Sequence, residues 1–358
     1  MGIHMFKFQK SKLLLAAGLL SMTGAANAGY TFDLSDNDKI TFGGYIKADA
    51  RYTDGNVGAV DYWYGGGSVL PESQSNFGIA VNETRFNTKY VHGDVTGFIE
   101  MDFYGDAVAG GGNEVISNSS SPRLRHAFIK YKNVLVGQTW TTFMNTSALA
   151  EAADFGGPLV ASAFIRQGQI RYTNGGLQLA LENPESYGGY RGAGKRDDGM
   201  PDLIAKYTFK GDWGNVSVSG LARQLKTATN QSESSLGFGI AGRIKTVGKD
   251  DFRFQIHAGE VGRYIGVVAS TDIVGEEVEE TTSVLVAYRH FWNDDLRSNI
   301  FYGVTETDLT DRERSHWGVN LFKNITKQLS YGVEFGNFDM DEANADSNYL
   351  QVSAKYVL

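Results

Sequence analysis

Sixteen stretches of this chain alternate apolar or aromatic residues with polar or charged ones, and the connections between them alternate just as regularly between short and long. In Lys39–Thr53, KITFGGYIKADARYT, one parity holds Ile40, Phe42, Gly44, Ile46, Ala48, Ala50 and Tyr52. The other holds Thr41, Gly43, Tyr45, Lys47, Asp49 and Arg51. A period of two is the signature of a strand with a single apolar face. The same pattern recurs near 39–53, 77–90, 95–104, 122–132, 133–140, 163–173, 177–183, 201–209, 214–225, 234–246, 251–260, 281–291, 296–305, 313–323, 328–338 and 347–358.

The short connections are His92-Gly93-Asp94, Lys132-Asn133, Asn174-Gly175-Gly176, Gly211 to Gly214, Gly248-Lys249-Asp250, Trp292 to Asp295 and Asn324 to Lys327, all built from turn-forming residues. The long ones include Asp54–Asn76, Gly105–Ser121, Thr141–Ser162, Pro184–Met200 and Val261–Glu280. One end of the sheet therefore carries tight turns and the other extended loops. A soluble sandwich has no reason for that asymmetry, whereas an outer-membrane barrel has short periplasmic turns, long external loops and an even strand number. The pattern predicts an all-β fold: a transmembrane antiparallel β-barrel of 16 strands with its apolar parity facing lipid. Lipid cannot satisfy an open strand edge, so the last strand must pair with the first. In YLQVSAKYVL, Leu350, Val352, Ala354, Tyr356 and Leu358 share one parity, although barrels of this kind usually end on Phe or Trp rather than Leu358.

The N-terminus fixes the compartment. Lys7, Lys10 and Lys12 precede the apolar run Leu13–Leu20, and Ala26-Asn27-Ala28 supplies small residues for cleavage, the pattern of a secretory signal peptide over 1–28. The run is too short to span a bilayer as a helix. The barrel then occupies 29–358, with 30 basic and 41 acidic residues, a balance that argues against nucleic acid as a partner. Cysteine is absent, which removes disulfides and thiolate metal sites, and no stretch beyond the leader is apolar enough for a membrane helix. No cofactor is expected. The destination is the bacterial outer membrane, where lipid and lipopolysaccharide are the surrounding partners.

With apolar residues outward, the opposite parity lines a lumen. Its basic members are Lys47, Arg51, Arg85, Lys89, Arg123, Arg125, Arg171, Lys206, Arg223, Arg243, Lys245, Arg253, Arg289, Arg297 and Lys355. Its acidic members are Asp49, Glu83, Glu100, Asp102, Glu182 and Glu334, so the lumen is basic inside an acidic chain. A basic, low-dielectric passage concentrates anions, and guanidinium matches carboxylate geometry. Equally, lumen charges can pair with one another and simply keep the passage wet. RLRHAFIKYK breaks the register: strict alternation sends His126, Lys130 and Lys132 to the lipid side, and His126 has no explanation there. The third long connection, TTFMNTSALAEAADFGGP, is comparatively apolar and is expected to fold against the inner wall. Glu151 and Asp154 would then oppose the basic ladder at a constriction, the alternative being a loop packed at a subunit contact.

These segments resemble the trimeric outer-membrane porins, most closely the DcaP-like family, through GGYIKADARYTDG, RLRHAFIKYKNVLVGQTWTTFM and DFGGP. The motifs cover the first half; the second half matches by strand pattern. The resemblance implies a homotrimer, a third-loop constriction, and passive uptake of small anionic solutes such as dicarboxylic and aromatic acids. It favours Lys47, Arg51, Arg123, Arg125, Glu151 and Asp154 as lining residues. Members can carry a helical N-terminal extension, for which Gly29–Asp38 is too short. Rival functions are a general diffusion porin, a surface receptor or adhesin using the long loops, and an outer-membrane hydrolase. The hydrolase needs a nucleophile and base together, but His92, His126, His257, His290 and His316 are scattered, so no enzyme is expected. Acidic runs such as Glu276–Glu280 lack calcium-loop spacing, so no metal site is expected.

Overall fold

The computed structural model describes residues 29–105, 118, 120–189 and 198–358. The proposed signal segment lies outside the described residues. The chain forms a closed antiparallel barrel whose first strand, Asp38–Val57, pairs over Tyr45–Gly55 with Val357–Ser347 of the last strand, Ala345–Val357. Where the last strand runs out, the N-terminal Tyr30–Asp33 takes its place beside Phe42–Lys39. Each later strand pairs with its sequence neighbours, so the sheet is an unbroken meander. All seven expected short turns join neighbouring strands at one end.

The burial pattern is that of a globular protein turned inside out. Phe77 is 65% exposed and Ile79 69%, while Arg125 is 1% exposed and Glu334 0%. Along the first strand Phe42, Ile46 and Tyr52 are exposed and Lys47, Asp49, Arg51 and Thr53 are buried. In lipid the exposed parity meets acyl chains and needs no polar cover.

Two strands depart from strict alternation. The second consists of Val69–Ala80 and Arg85–His92, both paired to the first strand. Between them the chain leaves the sheet. The Thr84 amide bonds the Val81 carbonyl at 3.0 Å, and Glu83 is buried on the lumen side. In the fourth strand, Ser121–Tyr131, Glu100 of the third strand (Val95–Gly105) pairs with His126 and Met101 with Leu124, so Arg125 is an extra, bulged residue. A bulge flips parity for everything beyond it. Arg125 and His126 therefore both point inward, each 1% exposed, and His126 bonds Thr139 Oγ1 at 3.0 Å. This corrects the lipid-side placement of His126 and Lys130: past the bulge the outward residues are Ile129 and Tyr131.

Candidate functional site

The third long loop runs inside the barrel. Its neck is closed by the Thr141 amide on the Ile165 carbonyl at 3.0 Å, and its backbone is then held by side chains projecting from strand after strand. Lys206 Nζ donates to the Met144 carbonyl at 2.7 Å, Arg253 Nη1 to Leu149 at 2.6 Å, and Asn320 Nδ2 to Glu151 at 2.9 Å. Lys47 Nζ and Gln351 Nε2 both donate to the Ala153 carbonyl at 2.7 Å. On the return, the Val160 carbonyl accepts from Thr305 Oγ1 at 2.7 Å. A loop without ladder partners must satisfy its polar groups this way if it is buried. The inward apolar residues complete the docking: Ile204 and Leu221 pack with Phe143, Met144 and Tyr264, and Leu285 and Phe338 with Val160, Ala161 and Trp63.

Glu151 and Asp154 anchor the loop's inner limb. Glu151 accepts from Arg289 at 2.9 Å and from Arg297 at 2.8 Å. Burial alone would raise its carboxyl, but these guanidiniums outweigh it and hold the group at about 2. Asp154 is bonded by Arg51 Nη1, and by the Trp63 amide at 3.2 Å. Here burial dominates, Arg51 offsets only part of it, and Glu334 adds repulsion, so the carboxyl is pushed up to about 7. Glu334 itself accepts from the Ala153 amide at 2.6 Å and the Asp154 amide at 3.0 Å.

Beyond Asp154 the chain turns through Gly156 (φ +80°) and Gly157 (φ +72°), left-handed geometry that a β-carbon opposes. The turn presents the Phe155 ring to the wall. Arg85 Cζ stands 5.2 Å from its centroid and Arg125 Cζ 5.6 Å. Tyr62, Tyr104 and Phe164 complete the enclosure at 4.8, 5.6 and 6.0 Å. Trp140 packs beside them at a tilt, 4.5 Å from Phe164, with Arg166 Cζ 4.6 Å from its own ring. Guanidinium over an aromatic face is a favourable cation–π arrangement. On the short-turn side of this narrowing lies a cavity of about 690 Å3, lined by Lys47, Arg85, Arg125, Arg253, Arg289, Arg297 and Lys355 among others.

Every expected basic residue of the site faces the lumen, but most are ion-paired. Lys47 binds Glu83 and sits 3.3 Å from Asp49; Arg123 holds Asp102 at 2.8 Å; Arg125 reaches Glu100 and Asp102, each at 2.8 Å. Arg253 and Arg289 share Asp251, with Arg243 at 4.0 Å from it. Lys89 and Arg171 take no part in these pairs. Strand parity therefore overstated the basic excess. Asp202 and Asp251, both buried, were missed because each sits at the first position of its strand, Asp202 after a long loop and Asp251 after a short turn. Arg166 was missed because alternation from Gln167, Gln169 and Arg171 assigns it outward. At the strand mouth the chain has already turned in toward Trp140, its register partner.

The histidines stay apart: His92 bonds Asp38, His257 bonds Ser283, His290 bonds Asp250 and His316 bonds Tyr349. Among the described residues no group of three or more His, Cys, Asp or Glu is arranged to hold a metal.

The family model for DcaP outer membrane protein matches residues 15–348. Among solved structures, the outer membrane channel DcaP of Acinetobacter baumannii superposes with a TM-score of 0.78 at 20% identity, covering 91% of this chain and 99% of that one. The anion-selective porin from Comamonas acidovorans gives 0.55 at 10% identity, with 90% and 100% covered. A trimer form of OmpT, an outer membrane protein of Vibrio cholerae, gives 0.54 at 12% identity, again with 90% and 100% covered. No curated protein matches the chain.

Proposed function

Since the chain belongs to the DcaP outer membrane protein family, it is an outer-membrane channel and not an enzyme, and from that premise we propose that it conducts small solutes passively with a preference for anions. The observation that carries the reading is the guanidinium cluster Arg85, Arg123, Arg125 and Arg166 gathered around Phe155, Tyr104 and Trp140 at the loop's narrowing. The carboxylates paired within it are Glu83, 3.9 Å from Arg85, together with Glu100 and Asp102, so four positive charges face three negative ones at this point. Dicarboxylic or aromatic acids fit such a passage, which offers planar donors backed by apolar rings. The constriction residues are then Lys47, Arg51, Arg85, Arg123, Arg125, Glu151 and Asp154, with Lys89, Arg171, Arg243, Arg253, Arg289 and Arg297 along the approaches.

We further propose that the protein works as a homotrimer and that residues 1–28 are a cleaved export signal. The wall supports the first point. The fifth strand, Val134–Trp140, has 7 residues and the seventh, Leu177–Glu182, has 6. At roughly 3.3 Å per residue and a tilt near 45°, seven residues rise only about 16 Å, short of the apolar band of about 25 Å. A neighbouring subunit covers that deficit without exposing loop backbone to lipid.

The deciding measurement is the reversal potential of the refolded protein in a planar bilayer under a KCl gradient. Anion selectivity is expected. Cation selectivity would overturn the reading, and a ratio equal to that of free K+ and Cl− would leave a general diffusion pore.

A further inference from the structure

Beside the Phe155, Phe164 and Trp140 rings two guanidinium nitrogens are buried without any acceptor, Nε of Arg85 and Nη1 of Arg166, as are Nε and Nη2 of Arg51 elsewhere in the constriction. The first two flank one aromatic cluster, in edge-on and tilted contact. Arg85 lies over Phe155, Phe155 neighbours Phe164, Phe164 packs on Trp140, and Arg166 lies over Trp140. A buried donor without a partner is costly, and more so on a charged group, so the cluster is incomplete as it stands. The other arginines of this ring cluster differ, and Arg51 already holds Asp154. Arg123 and Arg125 spend their donors on Glu100 and Asp102. Among the described residues Arg166 has no carboxylate partner.

We infer that Arg166 is a specificity-determining residue of this channel, and that with Arg85 it selects anions carrying an aromatic ring, such as aromatic carboxylates, over aliphatic dicarboxylates. This deepens the anion-channel reading above and rests on it. The carboxylate supplies the acceptor that Arg166 Nη1 lacks. The ring of the solute joins the cluster of Phe155, Phe164 and Trp140, where edge-on and tilted contacts at 4.5–6.0 Å are already the rule. An aliphatic dicarboxylate has no ring to seat among Phe155, Phe164 and Trp140, so nothing holds its carboxylates at Arg166 Nη1, and it is attracted only by the general positive charge of the narrowing. Arg166 is suited to discrimination because it holds no structural carboxylate whose loss would disturb the wall.

The test is block of ionic current by benzoate and by succinate, using the full-length protein refolded into planar bilayers, for the native sequence and for R166Q and R166K. Refolding is verified by heat-modifiable migration in detergent gels. In the native protein benzoate is expected to half-block at a concentration several-fold below that of succinate. R166Q is expected to raise the benzoate value about tenfold or more while barely moving the succinate value. R166K should recover little, since an ammonium keeps the charge but not the planar fork. Unchanged benzoate block in R166Q, or full recovery in R166K, overturns the inference, and R166K decides alone if R166Q does not refold. Succinate blocking the anion-selective native channel as well as benzoate does would also overturn it while leaving the anion reading intact. A cation-selective native channel would bring down that reading itself.

Discussion

Asp154 makes the constriction a pH-sensitive element, with the direction of the effect set by the structure. Its carboxyl is 1% exposed and is pushed up to about 7 by burial, against an ordinary value of 3.8. The charged groups facing it are Arg51 from the first strand and Glu334 from the fifteenth, with Lys47 donating to the adjacent Ala153 carbonyl. A raised carboxyl value means that the docked loop binds a proton more tightly than a loop free in water. Docking is then strongest below pH 4 and weakens by about 1.4 kcal/mol per unit as pH rises from about 4 to 7. Selectivity moves with it. Falling from pH 8 to pH 6 takes Asp154 from about 90% ionised to about 10%, which leaves Arg51 uncompensated. A unit charge roughly 6 Å from a permeating ion in water is worth about 0.7 kcal/mol, or about threefold for one ion and tenfold in the anion-to-cation ratio. Reversal potentials in a KCl gradient at the two pH values measure this. The native channel should become more anion-selective at pH 6, and D154N should show the pH 6 behaviour at both. A pH-independent native ratio, or a D154N channel that still shifts between pH 8 and 6, would refute the reasoning.

Two further outcomes follow from the anchors and the wall. Replacing Glu151 with Gln leaves Arg289 and Arg297 without their shared carboxylate. The loss of a largely buried pair should weaken loop docking by about 3 kcal/mol, seen as larger open-channel noise and greater anion preference in single-channel records. Replacing Ile46, which is 48% exposed on the apolar parity, with Lys should cost about 2–4 kcal/mol of barrel stability near mid-membrane, measured by urea titration in lipid vesicles. Unchanged stability would mean that this face is covered by protein.

Strand number, turn placement and the outward face were legible from alternation, because a period of two leaves little freedom once one face must be apolar. What alternation could not carry is any residue that steps out of it. Arg125 is a bulge, and a bulge has no sequence marker in RLRHAF beyond the parity conflict at His126. Parity places Glu83 in the lumen and it lies there, but on a break of the second strand at Val81–Thr84 that the sequence does not mark, since the stretch reads as continuous strand. Arg166 is turned inward by the end of the docked loop, a tertiary effect. The fate of the loop itself was readable, since an apolar connection had to find cover. Its partners were not, because they come from strands 62 to 198 residues away, from Lys206 to Gln351.

The docked loop also has a mechanical consequence. It is tied to widely separated points of the circumference: Lys206, Arg253, Asn320, Lys47 and Thr305 each grip a different part of one backbone segment. A hollow cylinder flattens easily under unequal lateral load, but one with an internal strut pinned around its wall keeps its cross-section. The bore of this channel is thereby decoupled from bilayer tension, and its width depends on the strut's pins rather than on the stiffness of the sheet.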